Sequence, residues 1–293
     1  MSVAADLKYT ALKAADRLSW FSIALTQALS LSAREDMTSV NALAEAVDRD
    51  VVITASLLSL ANSALYSRGV PVTRLRPAIV RLGLRKTRNV LLALSFARSL
   101  GSVKIDGKWS SEQFHEHSLA TATFCDLIVQ HAPTQHSEWA FGAGLLHDIG
   151  LLLIGAAFPD RLSVLATYSS NDLELALYER ELLGFTHFDL GAEFLAKWNY
   201  PVAVQQAVRH SPTVSLKYSR PLSLAAAVRI ASLLADSNHL AIPGAGEMDD
   251  STPELLRALR ISNPAQLLEA FRCEWRTFQD CIAAPLAYPT RRD

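Results

Sequence analysis

The sequence is poor in cysteine: among its 293 residues only Cys125, Cys273 and Cys281 are cysteines. They are widely spaced, form no CxxC pair and are odd in number, so they outline no disulfide framework. Scattered thiols of this kind are typical of a reducing compartment. The N-terminal stretch is amphipathic and charged, without the apolar core of a secretory signal. These features together predict a cytoplasmic protein.

Net charge is almost absent as well, because 28 Lys and Arg residues face 29 Asp and Glu residues. Such a balance gives no overall attraction to nucleic acid or to an anionic membrane. An uninterrupted apolar run of roughly 20 residues, the length of a spanning helix, is also missing. The stretch that comes closest is interrupted at its centre by a histidine and an aspartate. We therefore expect no membrane insertion.

Sustained apolar–polar alternation, the mark of an exposed strand, is lacking throughout the chain. Apolar residues instead recur at helical spacing, in segments separated by short Pro, Gly, Asn or Ser breaks. The sequence therefore predicts an all-α, multi-helix, two-lobed fold. We expect an N-terminal helical lobe over residues 1–107, a second helical lobe over 108–240 and a C-terminal helical extension over 241–293, with residues 101–108 connecting the lobes.

Several helix boundaries can be predicted from local signals. Asp50 is expected to cap a helix over residues 51–61, which Asn62 and Ser63 should end. One long helix is expected over residues 137–156 and another over 222–237. Further helices are expected over residues 4–31, 75–82, 85–100, 110–131, 160–168, 172–183, 188–198, 201–210, 253–260 and 264–282.

The most unusual stretch is WAFGAGLLHDIGLLLIGAAFP, residues 139–159. From Ala140 to Pro159 every residue is apolar, Gly or Pro except His147 and Asp148. Burying a carboxylate is costly unless it is paired or bound to a cation. Two explanations fit the sequence: the two side chains bind a metal ion, or they form a buried, hydrogen-bonded pair of imidazolium and carboxylate.

Other residues of the second half can contribute to a metal site. Divalent metals accept imidazole and carboxylate ligands together, and helices can project them inward from several directions. The candidate ligands are His117, His147, Asp148, His187, His210 and Asp236. His187 and His210 lie at predicted helix ends, where packing or surface roles are the more common ones. The remaining histidines, His115, His131, His136 and His239, are interpreted as surface residues.

The order His117, His147-Asp148, Asp236 resembles the His…His-Asp…Asp signature of the HD superfamily of metal-dependent phosphohydrolases. Residues 144–150, GLLHDIG, resemble its metal motif. The chain is more specifically similar to the HDOD family, the HD-related output domains of bacterial signalling. The segments that carry this resemblance, between about residues 19 and 212, are VVITASLLSLANSAL (51–65), RPAIVRLGLRKTRNVLLAL (76–94), residues 114–122, HFDLGAEFLAKWNYP (187–201) and AVRHSP (207–212).

The resemblance implies an HD-like second lobe with a divalent metal, which would be Fe, Mn, Mg, Zn or Ni. It also implies a regulatory module that acts through a signalling partner, such as a sensor kinase or a regulator, and that can take a nucleotide ligand. No general reaction is established for the HDOD family. A metal-dependent phosphohydrolase acting on a nucleotide or cyclic dinucleotide is the alternative.

Three departures from the related catalytic HD-GYP phosphodiesterases of cyclic di-GMP concern the chemistry. Leu151 occupies the position where a lysine follows the HDIG motif, Ser211 replaces a second histidine after His210, and the Gly-Tyr-Pro signature is missing. A two-metal mechanism needs its ligands to hold phosphate and to activate water. These losses weaken the case for hydrolysis more than the case for metal binding.

Acidic residues are absent between Asp50 and Asp106. The same span carries nine basic residues, Arg68, Arg74, Arg76, Arg81, Arg85, Lys86, Arg88, Arg98 and Lys104. Arg81, Arg85 and Arg88 have the spacing of one helical face. The face could bind phosphate, nucleic acid or an acidic partner protein, but pairing with acids of the other lobe is the favoured interpretation. Asn62 and Ser63 serve either as caps, which is favoured, or in a groove between the lobes. No aromatic residues interleave with these cations, which weakens the binding of single-stranded nucleic acid through base stacking and makes a nucleic-acid partner the least favoured hypothesis.

Overall fold

The computed structural model describes residues 3–14, 37–48, 50–100, 110–168, 171–214, 221–242 and 264–283. Within these ranges the chain is helical, and the only strand-like pairing is an isolated bridge between Thr134 and Leu222. The all-α prediction is therefore confirmed. The expected connection over residues 101–108 and the expected helix over 253–260 lie outside the described residues.

The described helices are numbered in chain order. They are α1 (Val3–Ala14), α2 (Met37–Val47), α3 (Val51–Asn62), α4 (Leu75–Leu82), α5 (Leu84–Leu100), α6 (Ser111–His131), α7 (Ala140–Leu145), α8 (Ile149–Ala157), α9 (Pro159–Tyr168), α10 (Asp172–Leu183), α11 (His187–Lys197), α12 (Val202–His210), α13 (Leu224–Ser237) and α14 (Pro264–Phe278). Short 3₁₀ turns at Ser137–Trp139 and Ser211–Thr213 and a π turn at Gln279–Ala283 complete the described elements.

The chain divides into two compact units. Of the described residues, the larger unit contains α1 and α6 to α13, and the smaller unit contains α2 to α5 together with residues 269–283. Helix α1 belongs to the larger unit, where it packs against α8 and α11, and the end of the last helix belongs to the smaller unit, where Phe278 and Cys281 are buried. The free energy gained by burying apolar side chains depends on their contacts in space, so residues far apart in the sequence can share one core.

The start of α3 follows the prediction. The Asp50 carboxylate accepts a hydrogen bond from the Ile53 backbone N–H at 3.0 Å, as an N-cap should. The same carboxylate pairs with both terminal nitrogens of Arg98, at 2.5 and 2.8 Å. Hydrogen bonding to Arg98 lowers the pKa of Asp50, although partial burial opposes it.

The structure at the end of α3 shows the role of Asn62. Its amide bonds the backbone of Val72 twice, through N–H···Oδ1 and Nδ2–H···O contacts of 2.8 Å each, and so closes the loop over residues 63–71. Arg81 supports the same loop by donating to the carbonyls of Ala61 and Val70 at 3.2 and 2.6 Å. Ser63 donates back to the Leu60 carbonyl at 2.7 Å. These contacts give Asn62 and Arg81 structural roles in the smaller unit.

The basic segment does not form a single helical face. Gly83, with a φ of +80°, ends α4 between Arg81 and Arg85, so these arginines lie on different helices, and Arg88 is buried. A positive φ of this size suits glycine and strains other residues. The cations also find acids inside the smaller unit: Arg98 pairs with Asp50, Arg76 with Glu45, and Lys86 with Glu274. The expectation of acids from another lobe is therefore not met for these three.

The larger unit is built around α6, which is buried along most of its length and packs against α7 and α13. Helix α11 packs against α8 and α12. The stretch Ser137–Ala157 is, by length and composition, apolar enough to cross a membrane, but 89% of its apolar window is buried within the protein. Its apolar character is therefore that of a core element.

We expect replacement of Asp50 by alanine to lower the free energy of unfolding by about 1–2 kcal/mol, because it removes an N-cap and a partly exposed ion pair. The folded-state pKa is below the unfolded value of about 3.9, so this stabilisation is present above pH 4 and is lost as the pH falls through the folded pKa. Thermal unfolding of both proteins between pH 3 and 7 measures it. Asp48→Ala is the control, because Asp48 is exposed and is not the N-cap of α3. Equal losses of stability in the two variants would contradict the prediction.

Candidate metal centre

The predicted long helix over residues 137–156 is in fact interrupted. Helix α7 ends at Leu145, α8 begins at Ile149, and the three residues between them form the junction. Leu146 (φ −108°, ψ 7°) and Asp148 (φ −103°, ψ 17°) depart from helical geometry. His147 and Asp148 therefore lie at a break in the helix, and both are buried. Periodicity missed the break because the flanking segments are uniformly apolar.

His117 and His147 face each other in the core. Their Nε2 atoms lie 3.2 Å apart. The Nδ1 atom of His117 lies 2.8 Å from the Leu240 carbonyl oxygen, and that of His147 lies 2.8 Å from the Gly144 carbonyl oxygen. A carbonyl only accepts, so each Nδ1 must carry a proton. In the neutral rings both Nε2 atoms are then acceptors, directed at one another.

Asp148 adds an anionic oxygen to the same point. Its Oδ2 lies 3.2 Å from His147 Nε2 and 3.6 Å from His117 Nε2. Burial raises the pKa of Asp148, but charge interaction and hydrogen bonding with His147 and His187 outweigh it and hold the pKa well below its usual range. Burial lowers the pKa of His147, and the Asp148 carboxylate more than offsets this, so the pKa of His147 is raised. The pKa of His117 is lowered by burial and by His147.

The three converging atoms fit a divalent cation. His117, His147 and Asp148 each offer one ligand atom, and all three atoms lie within 4.8 Å of one another. Two nitrogens bound to one ion at about 2.1 Å, at tetrahedral or octahedral angles, are about 3.0–3.4 Å apart. The observed Nε2–Nε2 distance of 3.2 Å falls in this range. Either a cation or a proton on His147 can satisfy the facing lone pairs, so the two compete for one position.

Asp236 lies beside the triad but on the other side of the His117 ring. Its Oδ1 is 3.4 Å from His117 Nδ1, the nitrogen turned away from His147, and it accepts no hydrogen bond within the described part of the chain. Burial, Asp172 and Asp148 raise the pKa of Asp236 to about 8. Burial is the largest cause of this rise and the two neighbouring carboxylates add to it, so a cation bound nearby would lower the pKa again.

His187 approaches the opposite oxygen of Asp148, with its Nε2 3.7 Å from Oδ1. Its Nδ1 lies 2.8 Å from both oxygens of Glu179, and its backbone N–H donates to the same carboxylate. Burial opposes protonation, but Glu179 and Asp148 outweigh it and raise the pKa of His187 to about 10. Glu179 is fully buried. Sequence reasoning missed Glu179, although its spacing of four residues from Leu175 and from Leu183 places it on one helical face with these two leucines.

The other predicted histidines divide differently from the expectation. His210 is exposed and contacts Gln206 at 2.9 Å, so the structure does not bring it to the triad. His115, expected at the surface, is buried on α6, and desolvation lowers its pKa to about 4. His131, His136 and His239 are exposed, as expected.

A second ion pair near the centre was also missed by sequence reasoning. Arg229 on α13 donates to Asp172, the first residue of α10, at 2.5 Å. The Asp172 carboxylate is close enough to raise the pKa of Asp236. Local sequence patterns cannot indicate this pair, because its members are 57 residues apart in the sequence.

Gly150 sets the spacing between α8 and α11. A Cβ atom at this position would lie 1.9 Å from the His187 carbonyl oxygen and 2.6 Å from its carbon. Only a residue without a Cβ permits this approach of the two backbones. The glycine of the HDIG motif therefore allows His187 to lie next to Asp148.

We expect Gly150→Ala to lower the free energy of unfolding by about 1–3 kcal/mol, because the methyl group must displace backbone rather than a flexible side chain. Thermal or urea unfolding measures the effect. Gly191→Ala provides the comparison: its Cβ would lie 3.1 Å from Ile149 Cγ2 and 3.3 Å from the Gly150 backbone nitrogen, much longer contacts than those at Gly150, so its loss of stability should be smaller. Equal stability of the two variants would show that α8 and α11 do not require the close approach.

Solved structures resemble the fold over nearly its whole length. An HDOD domain protein of unknown function from Geobacter sulfurreducens matches with a TM-score of 0.70 and 19% identity, covering 98% of this chain and 99% of its own. A protein from Shewanella amazonensis SB2B, provisionally assigned as a phosphohydrolase, matches with a TM-score of 0.67 and 25% identity, covering 95% and 98%.

A curated relative, an uncharacterized protein of Treponema pallidum (strain Nichols), is 24% identical over 169 residues, which are 56% of this chain. The chain spans 31% of the length of that relative. The sequence profile described as the HDOD domain matches residues 23–214. These bounds agree closely with the resemblance over residues 19–212, and the match covers more than half of the sequence. The chain therefore belongs to the HDOD family.

Proposed function

We propose that this protein is a regulatory signalling module that binds one divalent cation and acts through a partner protein. The observation that carries the proposal is the pair of facing Nε2 atoms, 3.2 Å apart, with the Asp148 carboxylate beside them. Carbonyl oxygens hold both Nδ1 atoms as donors, so both Nε2 atoms of the neutral rings direct lone pairs toward the point that the Asp148 carboxylate also approaches.

The donor set favours some metals over others. Two imidazoles and a carboxylate suit Fe, Mn, Zn or Ni, whereas Mg prefers oxygen ligands and retains its waters. The cation, when bound, would supply a fixed positive charge to a buried and acid-rich region. Asp236 and the Leu240 carbonyl would orient His117 from its Nδ1 side, as acids and carbonyls orient metal-binding histidines generally.

The residues around the triad support regulation over hydrolysis. Leu151 is 1% exposed and packs in the core, so this chain has no lysine to contact phosphate at that position. His210 points to solvent and Ser211 follows it, so this segment supplies no ligand for a second ion. A two-metal displacement needs both ions. HDOD membership supports a role in signalling, with a sensor kinase or a regulator as the partner and a nucleotide as the class of small ligand.

We expect protein purified without chelator and supplied with Mn or Zn to retain about one ion per chain, and His147→Ala and Asp148→Asn to lose it. Metal analysis after gel filtration measures the content, and His210→Ala is the matched control that should keep it. A proton competes with the cation for His147 Nε2, and the pKa of His147 is raised, so affinity should begin to fall already above pH 6.5 and should fall further as the pH drops. Equal retention by wild type and His147→Ala would refute the assignment.

Hydrolysis of a nucleotide or cyclic dinucleotide is the second candidate function. The similarity to the Shewanella amazonensis protein, at 25% identity, and the triad itself favour it. Under the regulatory proposal, metal-loaded protein should release no phosphate or linear product from nucleoside phosphates or cyclic di-GMP above the level given by the metal alone. Turnover that disappears in Asp148→Asn would instead establish the hydrolase.

A further inference from the structure

Glu179 is an acidic residue that the core of the larger unit encloses completely. Its side chain is 0% exposed, and Leu175 and Leu183, one turn before and one turn after it on α10, are buried on the same face. A buried carboxylate is costly unless other groups bond to it. Within the described residues, every hydrogen bond to this carboxylate comes from His187. The acid therefore serves a single residue, eight positions further along the chain.

His187 is held by Glu179 at two points. Its backbone N–H donates to Glu179 Oε2 at 2.8 Å, and its ring Nδ1 lies 2.8 Å from both carboxylate oxygens. A carboxylate only accepts, so Nδ1 is the donor. The Phe188 ring confines the imidazole further, since the two ring centroids are 3.7 Å apart. Because these contacts fix the position and the plane of the ring, they also fix the direction of its other nitrogen, Nε2.

The Nε2 atom of His187 faces Asp148. Its distance of 3.7 Å from Oδ1 is too long for a hydrogen bond, but two carboxylates flank the ring and favour its cationic form, which attracts this oxygen. The other oxygen, Oδ2, lies 3.2 Å from His147 Nε2 and 3.6 Å from His117 Nε2. His187 thus faces one oxygen of Asp148 and leaves the other to the two metal-binding histidines.

The rotation of the Asp148 carboxylate depends on these histidines. Asp148 is the N-cap of α8, but its side chain makes no capping hydrogen bond. Within the described residues its carboxylate forms ion pairs with His117, His147 and His187 alone. Two of these three rings face the point where the cation would bind, so His187 is the contact that can orient the carboxylate from outside the ligand set.

We propose that Glu179 is a positioning residue for the cation: through His187 it fixes Asp148 with Oδ2 directed at the Nε2 atoms of His117 and His147. The inference rests on the proposed metal binding and names a residue outside the ligand set that determines the affinity for the cation. Groups that orient metal ligands in this way contribute about 10–100-fold to metal affinity.

Manganese binding by the full-length protein tests this role. Glu179→Gln keeps the shape of the side chain but has one acceptor oxygen, so the ring N–H and the backbone N–H of His187 compete for it. We expect its Kd for Mn²⁺, measured at neutral pH from the electron paramagnetic resonance signal of the free ion, to be about 10–100-fold weaker than that of wild type. Glu181→Gln is the matched control, because Glu181 is exposed on the same helix, and it should bind like wild type.

A second variant separates positioning from folding, since Glu179→Gln leaves a buried pair incomplete. Glu179→Leu combined with His187→Phe replaces both members by apolar side chains, and such a replacement of a buried ion pair is often neutral in stability. We expect this double variant to keep the thermal midpoint of the metal-free wild type, while its Kd for Mn²⁺ is also about 10–100-fold weaker. Wild-type affinity in the double variant or in Glu179→Gln would overturn the positioning role.

The wild-type titration separates this inference from the proposed function. Wild-type protein that takes up no Mn²⁺ would overturn both of them. Wild-type protein that binds Mn²⁺ with the same Kd as Glu179→Gln would overturn only the positioning role, and the assignment of His117, His147 and Asp148 as ligands would stand.

Discussion

The fixed orientation of two buried imidazoles is the constraint on which the centre of this protein depends. Each Nδ1–H is held by a backbone carbonyl, one from the segment after α13 and one from α7. Neither ring can turn without leaving a buried donor or a buried carbonyl unpaired, at a cost of about 1–3 kcal/mol. The two Nε2 atoms must therefore face each other, and the backbone, more than the histidines themselves, creates the need for a positive charge between them.

The packing of the surrounding helices places the other polar side chains of the centre. The break between α7 and α8 places histidine and aspartate together where a continuous helix would have pointed them about 100° apart. The absence of a Cβ at Gly150 brings α11 against α8, so that His187 reaches the second oxygen of Asp148. Glu179 in turn holds His187 from α10. The polar network thus passes through three neighbouring helices with each member supported by the next, which is how buried charge is tolerated in an apolar core.

Much of this could be predicted from the sequence, and the exceptions have physical causes. Helical periodicity indicated the fold class, and the isolated pair His147-Asp148 in an apolar run indicated the centre. Periodicity could not locate the helix break, since the residues on both sides are apolar. Nor could it place Asp236 on the Nδ1 side of His117 or reveal Glu179, because both depend on which helices pack together. The spacing of Arg81, Arg85 and Arg88 suggested a shared face only because it ignored the turn at Gly83.

Helix α10 carries Glu179 on one face and Leu177 on the other, only two positions along the chain. A rigid helix moves as a whole. A ligand that fixes the position of the face carrying Leu177 therefore also affects the contact between Glu179 and His187. Thermodynamic linkage makes such coupling reciprocal: whatever one ligand does to the affinity of the second, the second does equally to the first. Under the proposed regulatory function, metal occupancy of the centre would change the dissociation constant of a partner that contacts α10.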